Sequence, residues 1–274
     1  MLEFDFMRRT LAVSLMLSIA VPLIGIIMVN RRTAMVGDAL SHTSLAGVGL
    51  GLILGFDPIL GAIAICIVAA FSIESIRKYF PQFGDMATAV TMSAGLGFAV
   101  ILSDIAPGGS SFETYLFGSI SSVTSFDVIS TAVVFVLVLA SSIIFYGGLL
   151  DIVIDGNLAR LSGVNVKLVN GLFTLLAAVT IALACKVVGA LLVASLIVLP
   201  VATSLIVSKS YKQAFLLSVL LGVIYTMLGV SFSYYFNIRP GGAIVANAVI
   251  GMLLFLLFKA VRKKLKPSSA RQIS

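Results

Sequence analysis

The sequence predicts an all-α protein that crosses a membrane many times, and three observations predict it. Of 274 residues, 60% are hydrophobic and 11% charged, where a soluble domain has about 45–50% and about 25%. Mean hydropathy is +1.17. The apolar residues come in runs of about 20, the length that crosses roughly 30 Å of hydrocarbon at about 1.5 Å per residue. A single water-exposed core cannot bury so much apolar surface in a chain of this size.

Taken in order, the runs and breaks give about nine spans, with eight as the alternative count: 10–30, 38–55, 58–76, 86–104, 126–148, 168–185, 188–207, 213–236 and 243–261. The breaks carry turn chemistry: Asp57-Pro58, Pro81, Pro107-Gly108-Gly109, Gly147-Gly148 and Pro240-Gly241-Gly242. Asp85, Ser125 and Asp127 are placed to cap the fourth and fifth spans. Residues 166–208 form one apolar stretch whose only charged residue beyond Lys167, at its start, is Lys186, and it is read as two spans around a tight turn. Between the fifth and sixth spans, 151–166 (DIVIDGNLARLSGVNV) is polar-interrupted, and Leu158, Leu161 and Val164 recur at helical spacing. That pattern predicts a short amphipathic helix, either an interfacial connector or a docking element. Residues 1–274 are thus a single transmembrane domain with this segment and a basic tail, 262–274, outside the bilayer.

Basic residues fix the expected orientation. With nine spans and the N-terminus outside, Arg31, Arg32, Arg77, Lys78, Arg160, Lys167, Lys209, Lys212 and the tail cations make 14 on the cytoplasmic side, against 4 outside, Arg8, Arg9, Lys186 and Arg239. The C-terminus is then cytoplasmic; eight spans would instead put the N-terminus inside. A net charge of +7, its cations single or paired between apolar runs and clustered only in the tail Lys259–Arg271, is an orientation signal, not a nucleic-acid face. The first run is too long for a cleavable signal and ends in Asn30-Arg31-Arg32. Cys66 and Cys185 lie inside apolar runs without metal-ligand spacing and read as small buried hydrophobes. No glycine-rich Lys-Ser/Thr loop for nucleotide phosphates is present, so ATP, if it drives this protein, is hydrolysed by another chain.

The informative stretch is Met35–Gly55, MVGDALSHTSLAGVGLGLILG, which holds the single histidine, His42, four residues after Asp38. At that spacing both side chains share one helical face. An ionisable group at membrane depth is costly unless paired or facing a wet cavity, which marks a functional site. Carboxylate oxygen and imidazole nitrogen suit zinc, manganese or ferrous iron, and the affinity order ranks zinc first. Two ligands are too few for a closed structural site and suit a transient relay, which a two-fold dimer would double. The plainer reading has Asp38 capping the helix and His42 bonded to backbone. Gly47, Gly51 and Gly55 form a small-residue stripe opposite Asp38, fit for close helix approach. Glu74 pairs with Arg77 and Lys78, while Asp104, Glu113 and Asp127 sit at span ends and read as solvated, Glu113 alternatively at a pathway mouth.

Arg31-Arg32 followed by this Gly37-Asp38-Ala39-Leu40-Ser41-His42 run resembles the signature of the zinc/manganese/iron ABC-transporter permeases. Three further stretches resemble the family in matching order: Tyr115–Ile120 (YLFGSI), Val187–Pro200 with Ala202-Thr203, and Pro240-Gly241-Gly242. The resemblance runs from about residue 10 to 261. It implies a fold similar to the cobalamin-importer permease and a membrane subunit without enzymatic activity. Two permease copies would pair with ATPase subunits, and an extracellular binding protein would deliver the ion. The family's metal-contacting aspartate and histidine match Asp38 and His42. Its coupling segment matches Asp155–Val164 at Asp155, Leu158, Ala159, Arg160 and Gly163, with Gly156-Asn157 where the family has Pro-Glu. Thr43 and Leu45-Ala46 stand where the family has Ala and Leu-Pro, so a straighter helix is expected there. No permanently bound cofactor is implied; the ion is cargo, and the location is a bacterial cell membrane.

Two other function classes are weaker. A gradient-driven secondary transporter using Asp38 and His42 as a relay would carry a second such segment in its other half, and none is seen. An intramembrane metalloprotease would carry a His-Glu-x-x-His helix.

Overall fold

A computed structural model describes residues 4–106 and 109–265, all-helical with no strand among the described residues. The helices are α1 (Asp5–Asn30), α2 (Ala34–Leu54), α3 (Pro58–Tyr79), α4 (Gly84–Ile105), α5 (Gly109–Phe117), α6 (Ser125–Ile144), α7 (Tyr146–Ile154), α8 (Gly156–Leu161), α9 (Val166–Val187), α10 (Ala190–Val207), α11 (Tyr211–Phe236) and α12 (Pro240–Leu265). The nine expected spans correspond to α1–α4, α6 and α9–α12. Among the described residues eight helices are long and apolar enough to cross a membrane. The ninth, α2, has 21 residues, a length of about 31 Å, but carries Asp38, His42 and a run of Gly, Ser and Thr. It sits inside the bundle, packed against α3, α4, α9 and α10. Large apolar side chains such as Phe98, Ile129, Val133, Leu220 and Leu253 point outward instead, the distribution expected of helices whose solvent is lipid.

Local sequence explains most boundaries. Asp57 caps α3 by accepting a hydrogen bond from Ile59 N, and Pro58 opens the first turn. Pro240 likewise opens α12. Several expectations are corrected. Asp85 lies in the first turn of α4 and is not its cap. The cap of α6 is Thr124, in a reciprocal capping box with Asp127. The helix after 126 breaks at Phe145 and then runs on through Gly147 and Gly148 as α7. The short α5 was not expected, and Pro107-Gly108 lies outside the described residues, as does the tail beyond Leu265. Helix α2 begins at Ala34, not Asp38.

Glycine sets the α2–α3 spacing. A Cβ on Gly47 would meet the Gly61 carbonyl oxygen, one on Gly61 would meet that of Gly47, and one on Gly51 would lie 2.7 Å from Pro58 Cα. Gly55, expected in the same stripe, is instead the helix C-cap with nothing within 4 Å. The two cysteines are buried and free.

Polar contacts identify the two ends of the bundle. At one end Arg31 Nη1 donates to Asn170 Oδ1 (3.0 Å) and Lys259 Nζ to Ile206 O (2.6 Å). At the other, Thr10 Oγ1 donates to Ile120 O, Ser119 N to Lys186 O (3.1 Å), and Arg239 pairs with Glu113 (3.1 Å). The two groups of cations separated in the sequence therefore lie at opposite ends.

Candidate functional site

Helix α2 is enclosed on nearly all sides. From Gly37 to Gly49 every residue is buried except Asp38 and His42. Gly37 lies under Ile197 of α10, Leu40 O accepts from Cys66 Sγ of α3 (3.2 Å), and Ser44 Oγ donates to Cys185 Sγ of α9 (3.2 Å). The two ionisable residues thus form the one part-open strip on a shielded helix. Their side chains are 27% and 13% exposed, with His42 Nε2 3.5 Å from Asp38 Oδ1. Two donors on one tetrahedral zinc-like ion, each about 2.0–2.2 Å from the metal, stand about 3.4 Å apart. The observed separation matches both a direct i,i+4 pair and two donors placed to share an ion. His42 Nδ1 is buried and has no hydrogen-bond partner among the described residues.

The structure gives neither side chain the partner that the plainer reading assigned to it. Asp38 lies a turn inside α2, whose N-cap is Thr33, so it caps nothing. The backbone bond expected for His42 is not made. Among the described residues no group of three or more His, Cys, Asp or Glu could hold a metal, so one chain supplies two such ligands, fewer than a closed structural site uses. Helix α2 runs unbroken through Thr43–Ala46.

The three stretches 115–120, 187–200 and 240–242 converge at one end of the bundle. Gly118 (φ +78°) packs on the Val187 carbonyl, Gly189 (φ +95°) on Phe117 and Leu116, and Gly241 on the Val188 carbonyl. Beside them lies the chief correction to the sequence reading. Asp127, expected solvated, is 3% exposed, and Lys186, expected in an outer turn, is 7% exposed in the last turn of α9. Lys186 Nζ donates to Asp127 Oδ2 (2.6 Å), which also accepts from Thr124 N (2.6 Å) and Thr124 Oγ1 (2.8 Å). Burial first, then the Asp57 and Asp127 carboxylates, push the Tyr115 phenol up. Two signals pointed here: the Thr124-x-x-Asp127 spacing of a capping box, and a lysine interrupting an apolar stretch. Glu113, expected solvated, is exposed and pairs with Arg239, whose guanidinium lies 4.4 Å over the Phe117 ring.

At the opposite end, the segment 151–166 folds as α7 and α8. Asp155 caps α8 through Asn157 N (2.7 Å) and Leu158 N (3.4 Å). Leu158 is 58% and Leu161 85% exposed, Arg160 and Gly163 are exposed, and Ala159 is fully buried. Ala159 therefore holds α8 down, and only its neighbours offer a surface. The expected Glu74–Lys78 pair forms at 3.5 Å, while Arg77 Nε donates instead to Gly84 O.

A bundle of membrane-length helices around a shielded helix with a part-open Asp-His strip defines a multi-pass transport protein of the permease class. The chain belongs to the ABC 3 transport family, whose model matches residues 3–260, and is thus a multi-pass protein of the cell membrane. It is 30% identical over 264 residues to the manganese import system permease protein ScaB of Streptococcus gordonii, covering 96% of this chain and 95% of that protein. It is 25% identical over 263 residues to the high-affinity zinc uptake system membrane protein ZnuB of Haemophilus influenzae, covering 96% and 100%. Among solved structures, PsaBC from Streptococcus pneumoniae in complex with Fab matches with a TM-score of 0.83 and 30% identity, over 93% of this chain and 92% of that one.

Proposed function

We propose that this chain is the membrane permease subunit of an ABC importer for a divalent first-row metal ion, with Asp38 and His42 as the transient ligands on its path. The carrying observation is the α2 strip: two ligand-type side chains 3.5 Å apart, left part-open on a helix otherwise buried. Two ligands bind weakly enough to release, and a two-fold pair of chains would supply four during passage. The cargo is zinc or manganese. Tetrahedral spacing and the affinity order favour zinc, and the more similar of the two relatives is named for manganese. The family membership speaks against a gradient-driven carrier.

In this reading ATP is hydrolysed by a partner subunit docked on α8, where Leu158 and Leu161 stand exposed beside Arg160, and Asp155 and Gly163 shape the helix ends. An extracellular binding protein delivers the ion to the end that carries Glu113 and Arg239. The N-terminus is outside and the C-terminus cytoplasmic, since the end with Arg31, Arg77, Arg160 and Lys209 is the more basic.

The test is total zinc, manganese and iron by mass spectrometry in metal-starved cells that express the ATPase and binding protein. Cells lacking this chain are compared with cells restored by wild type or by Asp38→Asn/His42→Gln at equal membrane abundance. Wild type restores one metal and the double variant does not. Restoration by both would return the pair to packing, and no change in any metal would end the assignment.

A further inference from the structure

A second feature lies at the basic end, beside the first turns of α2, and neither Asp38 nor His42 lines it. A cavity of about 260 Å³ opens where the C-terminal ends of α1 and α3 meet the start of α9. Its floor is apolar, formed by residues such as Leu40, Ile73 and Phe173, and its polar wall is Arg31, Glu74, Arg77, Lys78 and Asn170. Three cations face a single carboxylate. Glu74 is already engaged by Lys78 at 3.5 Å. Arg31 uses Nη1 on Asn170, and Arg77 uses Nε on Gly84 O (3.2 Å). The remaining guanidinium nitrogens of both have no hydrogen-bond partner among the described residues.

Burial pushes the Arg31 guanidinium below its ordinary range, Arg77 pushes the same way, and Glu74 opposes them. The chamber therefore has an uncompensated positive charge. That charge repels a divalent cation. It attracts a compact anion with several acceptor oxygens, which paired guanidinium forks grip best.

We propose that this cavity binds a phosphoryl anion gripped by Arg31 and Arg77. Two sources share that chemistry. One is the headgroup of an anionic phospholipid, since the cavity lies at the ends of spanning helices and α3 exposes Phe71 and Val68 beyond it. The other is free phosphate.

The experiment uses the full chain purified in neutral detergent. Its thermal midpoint is titrated with phosphatidylglycerol against phosphatidylcholine, and with sodium phosphate against sodium chloride at matched ionic strength. Phosphatidylglycerol raises the midpoint saturably, and Arg31→Gln/Arg77→Gln weakens its apparent affinity about 30-fold. Arg77→Gln alone, which removes one guanidinium and leaves the Arg31–Asn170 bond in place, weakens it about fivefold. Lys209→Gln/Lys212→Gln, which removes two exposed charges from the same end, leaves it unchanged. A saturable, arginine-dependent response to sodium phosphate with none to phosphatidylglycerol assigns the site to free phosphate. If neither probe gives an arginine-dependent response, or if Lys209→Gln/Lys212→Gln weakens binding as much, the proposal is overturned.

Discussion

Replacing Lys186 by Met keeps most of the side chain's volume and removes its charge, which isolates the ion pair at the converged end. In the native chain the Lys186 and Asp127 side chains are 9% and 4% exposed and 2.6 Å apart. Removing one partner of such a pair costs about 3–5 kcal/mol, because the other charge stays buried. Asp127 keeps its two bonds from Thr124, which puts Lys186→Met at the low end, about 3 kcal/mol. Asp127→Asn strands the ammonium and costs a similar amount. The double variant Lys186→Met/Asp127→Asn holds no buried charge, and its Asn still accepts from Thr124 N, so its cost falls to about 1 kcal/mol. The double variant is therefore more stable than either single one. Unfolding of the four purified proteins in detergent, followed as a double-mutant cycle, measures this directly. Additive losses would refute the reasoning, since they would mean that the two side chains stabilise the fold independently.

Three further outcomes follow from the same geometry. Gly189→Ala puts a Cβ 2.6 Å from Leu116 O at a φ of +95° and lowers stability by more than about 2 kcal/mol, read as a fall in thermal midpoint. Gly47→Ala drives a methyl into the Gly61 backbone and costs about 1–3 kcal/mol in the same assay. Leu161→Asp, at an 85% exposed position, changes stability by less than about 0.5 kcal/mol, yet reduces co-purification of the ATPase subunit. A Leu161→Asp chain that binds its ATPase normally would remove α8 from the docking surface.

The spanning helices were legible because lipid-facing segments need a length of apolar residues that nothing else in a chain of this size requires. The contact of Asp38 with His42 was legible because helical spacing alone puts the two on one face. The Gly47–Gly61 approach was half legible: the stripe is local, but its partner lies on another helix. Asp127 and Lys186 were misread because each lies at a span end, where water is the default partner. Their contact joins positions 59 residues apart, and no local pattern records it. The breaks were misplaced for a related reason. Gly147 and Gly148 are weak helix formers, yet α7 runs through both, and the chain turns at Phe145.

Helix α2 is buried along most of its length, so its place in the bundle depends on its neighbours. The hairpin of α9 and α10 supplies two of those contacts, and they bracket the Asp-His strip. Ile197 covers Gly37, one residue before Asp38, and Cys185 takes the hydroxyl of Ser44, two residues after His42. Cys185 is the neighbour of Lys186, and Gly189 forms the turn between the two arms. The same hairpin is thus fixed at its turn by the buried ion pair and the packed glycines, and fixed along its arms to either side of the strip. A bundle interior does not deform continuously, so a rearrangement that opens the turn displaces both arms together. The strip's geometry and the closure of that end are therefore properties of one element, although the residues that make them are far apart in the sequence.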